Sequence, residues 1–194
     1  PSVTLVHKGN IMKFTEGGFR KWGYEVAKDE FGDCTITEQE SAKGGCAGKI
    51  IIKDRIADAM FQEALLHPSQ YSVLALPNLN GDYISDALAA QVGGLGMSPG
   101  MNVSDTLAIF EATHGTAPSL AGKDAANPCS LLLSGALMLE HMGFDKAAQK
   151  IRRAIALSIE EKTVTPDLAA EMPGSTPVSC SAYGKILLSN IERG

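Results

Sequence analysis

Apolar positions along this chain fall into short runs separated by polar and glycine-rich stretches. Val3-Thr4-Leu5-Val6-His7 is β-branched and apolar and ends at the Lys8-Gly9-Asn10 turn, which predicts a strand. A helix is expected from Glu16 to Glu30, and residues Gly32 to Gly48, polar and without periodicity, predict a loop or hairpin. From Asp54 to Leu66 the stripe Ile56, Met60, Ala64 with Ala57, Phe61, Leu65 predicts a helix that stops before Pro68 and leaves Asp58 and Gln62 facing away from the core. Tyr71 to Leu76 reads as a buried strand, and Asp82 to Val92 as the helix after it. Gly93, Gly94, Gly96 and Gly100 then break the pattern. Thr106 to Phe110 predicts another strand, followed by a loop from Glu111 to Asp124. Asn127 and Pro128 resemble an N-cap and first helical position, and Gly143 a stop, around a nearly all-apolar, central helix. Ala148, Ile151, Ile155 and Ile159 mark one more helix, and Ala182 to Ile191 a last one. Strands alternating with helices predict an α/β fold, a sheet flanked by helices.

Composition changes that picture little but narrows function. A hydrophobic content of 44% and a charged content of 20% describe a globular chain, not a disordered tail. The net charge of −5 leaves no basic footprint for nucleic acid or a membrane surface. No apolar run reaches the roughly 18–20 residues that span a bilayer. The opening Pro1-Ser2-Val3-Thr4 carries no signal-peptide pattern, so a cytoplasmic setting is expected. Cys34, Cys46, Cys129 and Cys180 fit neither a C-x-x-C nor a zinc spacing, and unpaired thiols are the expectation even though Cys34 and Cys46 share a loop.

The chemistry concentrates in Asn78-Leu79-Asn80-Gly81-Asp82-Tyr83-Ile84-Ser85-Asp86. Asp82 and Asp86 stand four residues apart, which stacks them on one helix face, where like charges repel by roughly 0.2–0.5 kcal/mol. A cation between them would remove that cost, and carboxylate oxygens suit a hard ion, Mg²⁺ or Mn²⁺, over zinc. The plain alternative is a solvated helix start, with Asp82 favouring the N-terminal end of the dipole.

Four segments in register extend this reading. They are Leu5 to Gly17 (LVHKGNIMKFTEG), Ile56-Ala57-Asp58-Ala59, the stretch Asn78 to Asp86, and Glu111-Ala112-Thr113-His114-Gly115-Thr116-Ala117-Pro118. Together they closely resemble the C-terminal half of the bacterial isocitrate dehydrogenases, within the β-decarboxylating dehydrogenase family. The match runs nearly end to end and is weakest at Cys34 to Gly48. The resemblance implies an isopropylmalate/isocitrate dehydrogenase-like α/β fold with mixed sheets, in a partial chain lacking the N-terminal half. Residues 1–93 would form part of the smaller, dimer-forming domain, and 94–194 the C-terminal part of the large cofactor-binding domain.

In function the resemblance implies metal-dependent oxidative decarboxylation of isocitrate to 2-oxoglutarate, with hydride transfer to a nicotinamide cofactor. Asp82 and Asp86 would hold the metal, with Asp58 reaching it from the partner subunit of a homodimer whose active sites are shared. Lys8 looks like the family's catalytic lysine, also supplied across the interface, and burial with neighbouring cations would tune it. Asn10 would contact substrate or the nicotinamide side. His114, Gly115, Thr116 and Ala117 resemble the family's cofactor loop, with Asn127 near adenine. The family's usual 2′-phosphate contacts, however, are replaced by Ser119, Leu120, Pro166, Ala170 and His67, which predicts NAD as the preferred cofactor and NADP as the alternative. The serine, arginines and tyrosine that complete such a site lie upstream of the matched part, so this segment alone is expected to be inactive. The competing readings are a sister enzyme acting on isopropylmalate or homoisocitrate, and a non-catalytic dimerisation or dinucleotide-binding remnant. The four residues Lys8, Asp58, Asp82 and Asp86 together count against the remnant.

Overall fold

The computed structural model describes residues 1–44 and 48–193. Cys46 therefore lies outside the described residues, while Cys34, Cys129 and Cys180 are free. The chain divides into two compact units, Pro1–Leu88 and Ala89–Gly194. No helix among the described residues is long and apolar enough to cross a membrane.

The first unit runs β1 (Ser2–His7), α1 (Glu16–Asp29), β2 (Thr35–Thr37), α2 (Glu38–Ser41), β3 (Ile50–Ile56), α3 (Ala57–Leu66), β4 (Val73–Ala75) and α4 (Asn78–Gln91), the division falling within α4. Its four strands are parallel, in the order β2-β3-β1-β4. Successive side chains on a strand point to opposite faces, and β1 buries both. Leu5 lies against Gly23 of α1, while Val6 packs with Met60 and Ala64 of α3 and Ile84 of α4. A parallel sheet covered by helices on both faces is the result.

Several elements depart from the sequence pattern. Ile50–Ile56 is a central strand where a helix beginning at Asp54 is expected. Its charged triplet hides the strand because each charge is partnered: Lys53 Nζ donates to the Gln70 carbonyl at 2.9 Å and lies 4.3 Å from the centre of the Tyr71 ring, and Arg55 pairs with Glu38 at 2.8 Å. Tyr71 to Leu76 yields only the short edge strand β4, with Val73 54% exposed. Two residues of the α3 stripe, Phe61 and Leu65, stay at the surface. The segment expected as a loop holds β2 and α2, started by a capping box in which Thr37 Oγ1 accepts from Glu40 N and Glu40 Oε2 accepts from Thr37 N.

The second unit runs β5 (Pro99–Val103), β6 (Ala108–Ala112), α5 (Cys129–His141), α6 (Asp145–Glu160), β7 (Thr163–Val164), α7 (Pro166–Glu171), β8 (Thr176–Pro177) and α8 (Cys180–Arg193). β5 and β6 pair antiparallel and β7 and β8 parallel, so both kinds of pairing occur. Cys129, Ala154, Ile155, Tyr183 and Leu187 form the core between α5, α6 and α8. The expected stop of α5 is present: Gly143, at φ 81°, donates to the Glu140 carbonyl and Phe144 to that of Leu139. The apolar character of α5 misleads about which side is covered. Its small residues Cys129, Ser130, Ser134 and Ala136 are buried, whereas Leu131 is 60% exposed. Ser134 Oγ sits 2.8 Å from the Glu111 carbonyl and accepts from Gly100 N at 3.1 Å, which stitches the helix to the β5–β6 hairpin.

Candidate active site

β1 and β3 are hydrogen-bonded neighbours with His7 opposite Ile56, so the chain leaves both strands at the same edge of the sheet. Ligands gather outside the carboxyl ends of parallel strands in such folds. The next residues out are Lys8 and, in the first turn of α3, Asp58; Lys8 Nζ lies 2.5 Å from Asp58 Oδ1. The hydrogen bond from Lys8, aided by a backbone one, holds the Asp58 carboxyl below its ordinary pKa. Side-chain exposures of 33% for Lys8 and 71% for Asp58 mean that the pair faces outward. An exposed pair of this kind adds little stability. Its placement off the α3 stripe agrees with the sequence pattern, but Lys8 meets a carboxylate here and not the neighbouring cations expected to tune it.

The turn carrying Lys8 is fixed on several sides. Ile11 N and Met12 N donate to the Lys8 carbonyl, and Gly9 N donates to His7 Nδ1 at 3.0 Å. That bond needs a lone pair on Nδ1, which assigns the proton to Nε2, 3.1 Å from Asp54 Oδ2. Asp54 also accepts from Tyr24 Oη at 2.8 Å and from Arg20 Nε at 3.1 Å. Burial alone would raise the Asp54 pKa, but the hydrogen bonds from Arg20, His7 and Tyr24 outweigh it and hold the group down at about 2. Asn10 is exposed in this same turn.

α4 begins at Asn78, not at Asp82, because Asn78 and Leu79 already join the helix. Asp82 therefore sits in the second turn, where the dipole reading loses force. Asp82 and Asp86 are both exposed, while Ile84 on the other side is buried. Two carboxylates on one helix face fit part of the oxygen shell of a hard divalent ion, which takes six or more ligands. Among the described residues no group of three His, Cys, Asp or Glu side chains is arranged to hold a metal, so Asp58 does not join Asp82 and Asp86 within one chain.

In the second unit, β6 feeds the segment holding His114, Gly115, Thr116 and Ala117, all exposed. His114 Nδ1 donates to the Gly115 carbonyl at 2.9 Å, a bond that does not engage Nε2. Ala117 has φ 43°, a left-handed conformation that is strained for a residue with a Cβ and characteristic of functional loops. Further along, Asp124 accepts from Ser181 N at 2.9 Å and Ser181 Oγ at 2.6 Å, tying the loop to the start of α8. α5 starts one residue later than expected, with Pro128 at the N-cap position; Asn127 precedes it, its Oδ1 accepting from Cys129 N at 2.9 Å and its Nδ2 donating to Asp167 Oδ2 at 2.9 Å. Gly96 permits that pair: a Cβ there would stand 3.0 Å from Asn127 Cβ and 3.1 Å from Asp167 Oδ2. Ser119, Leu120, Pro166 and Ala170 are exposed, and His67 pairs with Glu63 at 3.1 Å.

The family model for isocitrate/isopropylmalate dehydrogenase matches residues 1–187. The chain belongs to that dehydrogenase family. It is 54% identical over 193 residues to an isocitrate dehydrogenase (NADP) of Pseudomonas aeruginosa, covering 98% of this chain and 46% of that one. To the protein of the same name in Coxiella burnetii it is 56% identical over 195 residues, covering 98% and 45%. A crystal structure of isocitrate dehydrogenase from Methylococcus capsulatus superposes with a TM-score of 0.82 at 39% identity, over 98% of this chain and 50% of that chain. The chain thus spans about half the length of the curated relatives it matches.

The sequence pattern does not mark the residues that hold the others. His7 reads as a strand end and Asp54 as a helix start, and the pattern does not single out Asp167. A cleft of about 510 Å³ lined by Tyr24, Lys28, Thr37 and Lys49 contains none of the candidate residues.

Proposed function

We propose that this chain is the C-terminal part of an isocitrate dehydrogenase that oxidises and decarboxylates isocitrate to 2-oxoglutarate, with Mg²⁺ or Mn²⁺ and a nicotinamide dinucleotide. The observation that carries the reading is the Lys8–Asp58 pair at the sheet edge, in a chain that also sets Asp82 and Asp86 on one exposed face of α4. The relatives' names support isocitrate as substrate. Pro1–Leu88 would belong to the smaller, dimer-forming domain and Ala89–Gly194 to the large cofactor-binding domain.

Asp82 and Asp86 would hold the ion, with Asp58 of a second copy completing the carboxylate set. When bound, the ion would polarise the hydroxyl and an adjacent carboxylate oxygen of the substrate. Lys8 and Asp58 form a hydrogen-bonded acid–base couple, suited to moving the proton between the substrate and solvent; positioned proton transfer of this kind contributes about 10²–10⁴-fold. Asn10 would touch the substrate from the same turn. His114 to Ala117 and Asn127 would hold the adenosine end of the dinucleotide. The relatives' names support NADP and do not support the NAD preference that the replaced side chains predict.

Mixed dimers of the full-length enzyme test the shared site. A hybrid of one Lys8→Met subunit with one Asp82→Asn subunit should regain about half the wild-type isocitrate-dependent reduction, whereas each mutant homodimer loses at least about a hundredfold. A hybrid as inactive as its parents would overturn the cross-subunit reading. Calorimetry with Mn²⁺ should show weakened binding in Asp82→Asn; unchanged binding would favour a non-catalytic remnant. Higher turnover of isopropylmalate than of isocitrate would identify a sister enzyme.

A further inference from the structure

Glu16 is the first residue of α1, where an acidic side chain ordinarily faces its own helix's free N–H groups. It does something else here. Its Oε2 accepts the backbone N–H of Lys8, and its two oxygens lie 3.0 Å and 2.9 Å from Asn80 Nδ2. One partner is eight residues back and the other sixty-four residues ahead, so the carboxylate is a cross-link and not a cap. Lys8 carries the candidate acid–base group. Asn80 lies in the first turn of α4, two residues before Asp82.

We propose that Glu16 is a positioning residue, a clamp that fixes the Lys8 turn against the start of the metal-bearing helix. The inference rests on the function proposed above. With active sites shared between copies, Lys8 of a chain serves its partner's metal while Asp82 and Asp86 serve its own, so the clamp sets the spacing between the half-sites a single chain gives to two centres. The carboxylate accepts at both oxygens, Oε2 from Lys8 N and Asn80 Nδ2 and Oε1 from Asn80 Nδ2. Glutamine keeps one acceptor but turns the other position into a donor, which meets Asn80 Nδ2 or Lys8 N as donor against donor. A turn left free to shift by about 1 Å can cost up to about a hundredfold in rate, far more than one lost hydrogen bond costs in stability.

The test uses the full-length dimer with Glu16→Gln, Asn80→Ala and the double variant, and Glu25→Gln as control, since Glu25 only meets Lys21 at the surface. The expected result is a fall in kcat of about tenfold to a hundredfold for Glu16→Gln, with KM for isocitrate nearly unchanged. Asn80→Ala should lower kcat in the same direction, and the double variant should be no worse than the poorer single one. Hydrogen exchange followed by mass spectrometry should show faster exchange across Lys8 to Met12 in Glu16→Gln, with the rest of α1 and the sheet as protected as in wild type. Unchanged kcat and unchanged exchange in that turn would overturn the clamp, as would multiplicative losses in the double variant or a loss that only tracks the unfolded fraction. Should Glu16→Gln fail to fold, Asn80→Ala and its exchange profile carry the same test. If wild-type enzyme did not oxidise isocitrate at all, the functional reading would fall, while the exchange measurement would still judge the clamp by itself.

Discussion

At Asp54 three donors from two elements converge on one carboxylate: Arg20 and Tyr24 of α1, and His7 of β1. Its pKa in the fold, about 2, lies below the usual carboxylate value near 3.9 in an unfolded chain. The unfolded state therefore binds its proton first, and the stabilisation is present above about pH 4 and is lost as pH falls toward about 2. Asp54→Asn should flatten that acid limb and destabilise the first unit by about 1–3 kcal/mol at neutral pH, since it disrupts acceptors for partly buried donors. Urea unfolding followed across pH would check both. The same variant should loosen the tautomer of His7 and, through Gly9, the Lys8 turn. None of this is legible in the sequence, because a bond between residues 7 and 54 leaves no trace in local periodicity. Lys8 and Asp58 were legible only through the resemblance and, for Asp58, through its place off the apolar stripe.

Among the elements, those with clean periodicity follow their patterns: β1, α1, α6 and α8 all lie where the sequence puts them. Two of the departures, in β3 and α5, come from polar residues on covered faces. Lys53 is 92% buried in β3 by virtue of its bond to Gln70 and its place over Tyr71, so a charge that argues for a surface sits in a central strand. In α5 the buried side is the serine side, and reading leucines as the core points the helix the wrong way. That geometry makes a prediction. Ser134→Ala removes the acceptor for Gly100 N–H at a position that is fully buried, and should cost about 1–3 kcal/mol. Thermal unfolding of the full-length variant would measure it, and faster amide exchange at Gly100 would locate it in the hairpin.

At the scale of the whole molecule, the proposed function leaves a choice between two dinucleotides. Curated relatives at 54% and 56% identity carry NADP in their names, while Ser119, Leu120, Pro166, Ala170 and His67 bring no full positive charge to a 2′-phosphate. Lys123 lies exposed in the same loop. We expect NADP to be used with weak discrimination against NAD. Replacing Ser119 by lysine should then raise the NADP-to-NAD ratio of kcat/KM by about fivefold, the effect of about 1 kcal/mol from one solvated cation at about 4 Å. Steady-state kinetics with both cofactors would decide it, and an unchanged ratio would place residue 119 away from the phosphate.

The pairing of His7 with Ile56 in β1 and β3 acts as a gauge for the chemistry beyond it. Each residue advances a strand by about 3.3 Å, more than the slack in a hydrogen bond. Deleting one residue anywhere inside either strand would carry Lys8 or Asp58 out of the other's reach and turn every inward side chain outward. Shortening the Ile11 to Phe14 stretch would keep the strand register but remove donors to the Lys8 carbonyl and pull Glu16 off the Lys8 N–H. Length changes inside the strands should thus misplace Lys8 by a whole residue, and those just after it should loosen the turn that holds it.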